Sequence, residues 1–201
     1  MVVKRRAQTM EENRAKLIAA GRKAFAEKGF AAASMDELTA SVGLTRGALY
    51  HNFGDKQGLL AAVVAQVDGE MAQRAKMQAQ ATDNAWDALL AEGVAYIEMA
   101  LDAEIQRIVL LDGPAFLGDP SRWPSQNACL QATRIAVADM VANGEMKEVD
   151  VESAARLLNG AALNAALWVA ASDNPQQTLP KVIDAFILLA NGLRAKKKNP
   201  A

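Results

Sequence analysis

Residues 34–60, SMDELTASVGLTRGALYHNFGDKQGLL, constrain the fold of this chain more than any other stretch. Ser34 opens it as an N-cap, because its hydroxyl can accept a bond from an early helical N–H. Glu37, three residues on, completes a capping box. Leu38 and Val42, four apart, give the helix that follows a buried stripe. Gly43 supplies the backbone freedom that stops it. Leu44 tucks into the corner. Thr45 then caps a second helix formed by Arg46 to Asn52. Leu49 and Phe53, again four apart, hold that helix on the core, and Arg46, Gly47, Tyr50 and His51 occupy its other face. Gly54 breaks it. Asp55 caps a third helix with Lys56 in the first turn. A helix, a short turn containing Gly, and a second helix with a polar outer face make the helix-turn-helix plan.

The second helix makes the plan more specific. With Gly43-Leu44-Thr45, Gly47, Leu49-Tyr50, Phe53, and Lys56 followed by Leu59-Leu60, the segment resembles the N-terminal DNA-binding domain of TetR/AcrR-type transcriptional repressors. The resemblance extends upstream through Ala24-Phe25, Gly29-Phe30 and Ser34 to Leu38, so it covers about Ile18 to Leu60. It implies an all-α chain of about nine helices. A three-helix DNA-binding domain is expected over 10–55, with the fourth helix over 56–80 as connector. A ligand-binding and dimerisation domain is expected over 81–195. DNA contact is carried onto Ser34, Thr45, Arg46, Gly47, Tyr50, His51 and Lys56. Two positions depart from the family pattern: Asn52 stands where a His is frequent, and Thr39 where an Ala is common.

The chemistry of these residues suits double-stranded DNA. A helix fits the major groove, where the base pairs are distinguishable. Arg46 can reach guanine or a phosphate, Gly47 lets backbones approach, and Tyr50 can bond a phosphate through its hydroxyl. His51 can contact either. Lys56 sits at a helix N-terminus, where N–H groups already favour an anion.

Charge supports a polyanion partner through its distribution. The net charge is −1, but residues 1–60 hold ten Lys/Arg against six Asp/Glu, whereas 61–193 hold eight against seventeen. A basic head on an acidic body is the result. Residues 1–9, with Lys4, Arg5 and Arg6, read as a basic arm, and Lys196 to Lys198 as a basic tail. Thr9, with Glu12, is the expected cap of the first helix, which Gly29 ends.

The single His and single Cys, far apart, cannot supply a metal site or a Cys-His dyad. No phosphate-cradling Gly-rich loop or GxSxG occurs. No enzyme activity, metal or cofactor is therefore expected. One cysteine excludes an intrachain disulfide, which fits a reducing cytoplasm. The most apolar run, 161–171, is too short to span a membrane.

Downstream, helices are expected over about 56–80, 85–101, 103–113, 126–143, 151–171 and 178–193, with Gly113-Pro114 ending or kinking the third of these. Trp86, Tyr96, Met99, Phe116, Trp123, Cys129, Met140 and Trp168 are candidates to line an apolar pocket, each weighed against a place in plain core. The resemblance implies such a pocket for a small-molecule effector, and the absence of a charged cluster points to an apolar or aromatic one. Small and apolar residues on the last two helices suggest an interface, with Leu158, Ala162, Ala165, Ala166, Phe186 and Leu189 as its candidates. The resemblance then implies a homodimer on a palindromic operator, acting as a repressor released by its effector. A ligand-dependent activator or corepressor-type regulator is the alternative, and an all-helical enzyme or carrier the remote one.

Overall fold

The computed structural model describes residues 2–196, with side chains from residue 8 onward. Among these residues the chain is all-α. Its nine helices are α1 (Val2–Ala32), α2 (Met35–Ser41), α3 (Arg46–Phe53), α4 (Lys56–Ala79), α5 (Ala85–Glu98), α6 (103–117), α7 (Pro124–Ala142), α8 (Val151–Ala171) and α9 (Pro175–Asn191). The only β pairing among them is an isolated bridge between Met146 and Arg194. No described helix is long and apolar enough to cross a membrane.

Several ends differ from expectation for local reasons. α1 begins upstream of Thr9, so Thr9 does not cap it, and the side chains of Lys4, Arg5, Arg6, Lys197 and Lys198 lie outside the described residues. Gly29 does break α1, at φ 74°. α6 does not stop at Gly113-Pro114. Its middle, Gln106–Asp112, widens into a π-turn in which the Gly113 N–H bonds Ile108 five residues back. That wide turn stands directly before Pro114, which has no N–H to give the ladder. α9 starts three residues early, because Asn174 caps it at the Gln177 N–H and Pro175 takes the first helical position; Pro180 is then inside the helix.

The chain forms two compact units, Met1–Asp68 with Ala103–Pro120, and Gly69–Asp102 with Ser121–Ala201. Residues 103–120, placed by sequence in the 81–195 domain, thus pack with the N-terminal helices. In the first unit Leu17, Phe25, Leu38, Leu49 and Leu59 are buried, each stabilising by about 1.5–3 kcal/mol. α6 adds Ile105, Ile108, Val109 and Leu110. Polar contacts fix it there. Arg22 forks onto Glu104, Nε to Oε1 at 2.8 Å and Nη2 to Oε2 at 2.6 Å. The Asp112 carboxylate accepts the Phe30 N–H at 2.7 Å, where the break at Gly29 leaves that donor free. The Phe30 and Phe116 rings lie 4.4 Å apart.

In the second unit α5, α7, α8 and α9 enclose a core of Trp86, Val137, Met140, Met146, Ala154, Ala155, Leu158 and Ala190. The Trp86 indole N–H donates to Asn191 Oδ1 at 3.2 Å. Gly93 lets the Phe186 ring lie directly against the α5 backbone, leaving no room for a Cβ. The chain after α9 clips onto the loop after α7, through Lys147 N to the Leu193 carbonyl and Ala195 N to that of Glu145, both 2.9 Å.

Candidate nucleic-acid interface and cavity

The helix-turn-helix forms as its caps dictate. Ser34 Oγ accepts the Glu37 N–H at 3.4 Å, and Thr45 Oγ1 accepts the Ala48 N–H at 3.3 Å. Gly43, at φ 68°, and Gly54, at φ 79°, end α2 and α3. Asp55 Oδ1 takes the Gly58 N–H at 2.7 Å to start α4. The reciprocal half of the capping box is not among the bonds formed, because the Glu37 carboxylate turns to Lys28 at 2.6 Å. That bond and the attached charges push the Lys28 pKa up and the Glu37 pKa down. Leu49 is fully buried, while Arg14 lies over the Phe53 ring at 4.8 Å and donates to the Asn52 carbonyl. The two unusual residues satisfy themselves within their helices. Thr39 donates to the Met35 carbonyl at 2.9 Å, and Asn52 to that of Ala48 at 2.8 Å.

Anchoring of this kind leaves Thr45, Arg46, Gly47, Tyr50 and His51 exposed together on the outer face of α3. Arg46 reaches along that face, Nη2 3.5 Å from the Tyr50 hydroxyl and Nη1 3.4 Å from Asp36. The Tyr50 bond, and then the Asp36 charge, raise its pKa. Gly47 has no neighbour that requires a glycine: the nearest atom to a Cβ there is Thr45 Oγ1 at 3.7 Å. Ser34 is part-buried at the start of α2. Lys56 is also part-buried, its ammonium on the Ala31 carbonyl at 3.3 Å and over the Phe30 ring at 4.7 Å. Burial lowers its pKa.

The second unit contains a cavity of about 300 Å³. Of the eight sequence candidates, Tyr96 and Cys129 line it and six do not. Trp86 and Met140 are spent in the adjacent core. Met99 is buried after α5, and Trp123 before α7. Phe116 belongs to the first unit, against Phe30. Trp168 points outward and is 60% exposed. The space exists because the helices around it present small residues, among them Ala72, Ala75, Ala88, Ala132, Ala136 and Ala162. Its polar lining comes mainly from residues other than the large aromatics. Thr133 donates to Asn159 Oδ1 at 2.8 Å, Gln126 donates to the Tyr96 hydroxyl at 3.1 Å, and Glu92 is a part-buried carboxylate whose pKa burial raises. Asn159, one of two asparagines among the leucines and alanines of α8, is the sequence signal for that lining.

Of the interface candidates, Leu158, Ala162, Ala165, Ala166 and Phe186 are all buried inside their own bundle, and only Leu189 is exposed. Each helix turns its more closely packed stripe inward. The large apolar side chains left outside on α7, α8 and α9 are Ile135, Leu157, Trp168, Leu188 and Leu189.

This arrangement matches a described family in both halves. Residues 17–63 fit the model of bacterial regulatory proteins of the tetR family, and residues 86–193 that of the tetracyclin repressor-like C-terminal domain. The chain belongs to the TetR family. A TetR-family transcriptional regulator from Pectobacterium atrosepticum has 43% identity, 95% of this chain and 98% of that one covered, and a TM-score of 0.86. The transcriptional repressor AcnR of Corynebacterium glutamicum is 27% identical over 70% of this chain and 72% of its own. The regulator FadR of Bacillus subtilis, solved with stearoyl-CoA, shares the fold at 17% identity, with 89% and 98% covered and a TM-score of 0.69. As a TetR-family member the chain is a DNA-binding transcriptional regulator.

Proposed function

We propose that the chain is a homodimeric repressor of a palindromic operator, released by a small molecule that enters the cavity of the second unit. The observation that carries DNA contact at this face is Gly47. No atom of the protein needs a glycine there, and it sits among the exposed Arg46, Tyr50 and His51. A close external backbone accounts for it. Arg46 then reads a base edge or holds a phosphate. Thr45, Tyr50 and His51 fix the register of the helix, and Ser34 and Lys56 bind flanking phosphates. Lys56 reaches a phosphate by leaving the Ala31 carbonyl.

Two chains join through the outer faces of α8 and α9, where Leu157, Trp168, Leu188 and Leu189 otherwise meet water. Two-fold symmetry presents two recognition helices to successive major-groove turns, roughly 34–36 Å apart. Effector release works through α4, one unbroken helix whose residues belong to both units. A ligand that favours one setting of α4 changes operator affinity, and the operator changes ligand affinity by the same factor. No cofactor and no catalytic step enter this scheme, and a regulator of this kind works in the cytoplasm beside the chromosome.

Selection of bound sequences from a random duplex library, at near-physiological salt, tests it. One inverted repeat is expected, bound more weakly by Tyr50→Phe and Lys56→Ala. Retention of random duplexes without enrichment contradicts sequence-specific reading. A ligand that tightens operator binding would instead make the chain a corepressor-dependent regulator.

A further inference from the structure

The cavity carries a sign of charge. Its only ionisable acids and bases of ordinary strength are Glu92, from α5, and Asp139, from α7; no Lys, Arg or His lines it. Asp139 is exposed at the rim. Glu92 is part-buried among Ala88, Leu89 and Gly93 of its own helix, with the Tyr96 ring one turn further on. Phe186 closes one side of the space by lying directly against Gly93. We propose that this cavity takes a lipophilic cation, an aromatic body of one or two rings whose protonated aliphatic nitrogen is held by the Glu92 carboxylate. The assignment rests on reading the cavity as the effector site, and it replaces the purely apolar effector that the sequence suggested.

Three features favour a cation over a neutral or anionic ligand. The Glu92 carboxylate, in a partly desolvated site, is only partly compensated: burial raises its pKa, and the opposing charge of Lys76, outside the lining, has the smaller effect. A bound ammonium would supply that compensation at short range. Second, Tyr96 and Phe186 place two aromatic rings in the lining, and attraction between a ring and a cation strengthens when water is excluded. Third, an anionic ligand would meet Glu92 and Asp139 with no basic side chain in the lining to offset them. The remaining polar groups suit orientation. Asn159 Oδ1 accepts the Thr133 hydroxyl, which leaves the Asn159 amide N–H groups to donate to an acceptor elsewhere on the ligand. The alanine-lined walls take the apolar body, and a cavity of about 300 Å³ limits its size.

Three probes of one shape test the charge: naphthylethylamine, naphthylethanol and naphthylacetate, titrated calorimetrically into the full chain. The amine is expected to bind about tenfold more tightly than the alcohol, a ratio set by one ammonium–carboxylate contact and its cation–π support. The acetate should bind more weakly than either. In Glu92→Gln, with cooperative melting confirming the fold, the preference for the amine should vanish while the alcohol still binds. In Asp139→Asn the preference should persist, because an exposed rim charge contributes little. Alcohol binding as tight as the amine, or an undiminished amine preference in Glu92→Gln, overturns the cation assignment and leaves the effector site standing. Failure of all three probes at millimolar concentration overturns both.

Discussion

Gly47 and Gly58 lie in adjacent helices and answer to different neighbours. A Cβ at Gly58 would overlap the Phe53 carbonyl oxygen, so the corner between α3 and α4 closes only on a glycine. Gly58→Ala is expected to lower unfolding stability by about 1–3 kcal/mol, read as a lower denaturation midpoint. A midpoint equal to the wild type would mean the corner has slack. At Gly47 the protein leaves open space, and the helix itself would favour alanine by about 0.5–1 kcal/mol. Glu92 makes a third residue-scale case. Its folded pKa lies above the ordinary 4.5 because burial disfavours the charge. The folded state therefore holds its proton longer than the unfolded chain, and stability is lost as pH rises from 4.5 through the raised value. Glu92→Gln lacks that loss. Its melting temperature should match the wild type below pH 4.5 and exceed it at neutral pH. Equal melting temperatures across the range would show that Glu92 is well solvated.

At the scale of elements, α8 separates two roles by face. Ala155, Leu158, Ala162, Ala165 and Ala166 point inward, whereas Leu157 and Trp168 point out. Leu157→Glu combined with Trp168→Glu is expected to give a folded monomer in sedimentation, with stability within about 0.5 kcal/mol of the isolated wild-type chain. A dimer that survives both charges would place the interface elsewhere. Ala166→Glu, on the inner face of the same helix, should instead unfold the chain, because an unpaired carboxylate would enter the bundle. Sequence reveals these elements unevenly. The helix-turn-helix was legible because its limits are local: Ser34, Gly43, Thr45, Gly54 and Asp55 act on backbone groups within a few residues. The cavity was not, because space is left by alanines and cannot be seen as a residue. Large side chains suggested pocket walls, yet Trp86 and Met140 filled the core and Trp168 faced out. The alanine stripe of α8 faces its own bundle, and the face left outside carries Leu157 and Trp168 beside the polar Arg156 and Asn164. The attachment of α6 to the first unit depends on Arg22, Glu104, Phe30 and Asp112, partners 82 residues apart that no periodicity connects.

For the whole molecule, the division of charge and the two family halves describe one device: a basic reading head and a body that admits a small molecule. Operator and effector should each weaken the other's binding by one common factor. Effector affinity that is equal with and without operator duplex would uncouple the two units. On the proposed reading, the outer face of α3 is shaped for DNA and not for its own fold. The most direct test takes Gly47→Ala and wild type on the selected inverted repeat, measuring duplex affinity and thermal midpoint on the same preparations. The expected result is a midpoint unchanged or slightly raised, with operator affinity reduced about tenfold or more. Unchanged affinity at an unchanged midpoint would contradict a close backbone approach at Gly47, and with it the placement of α3 in the groove.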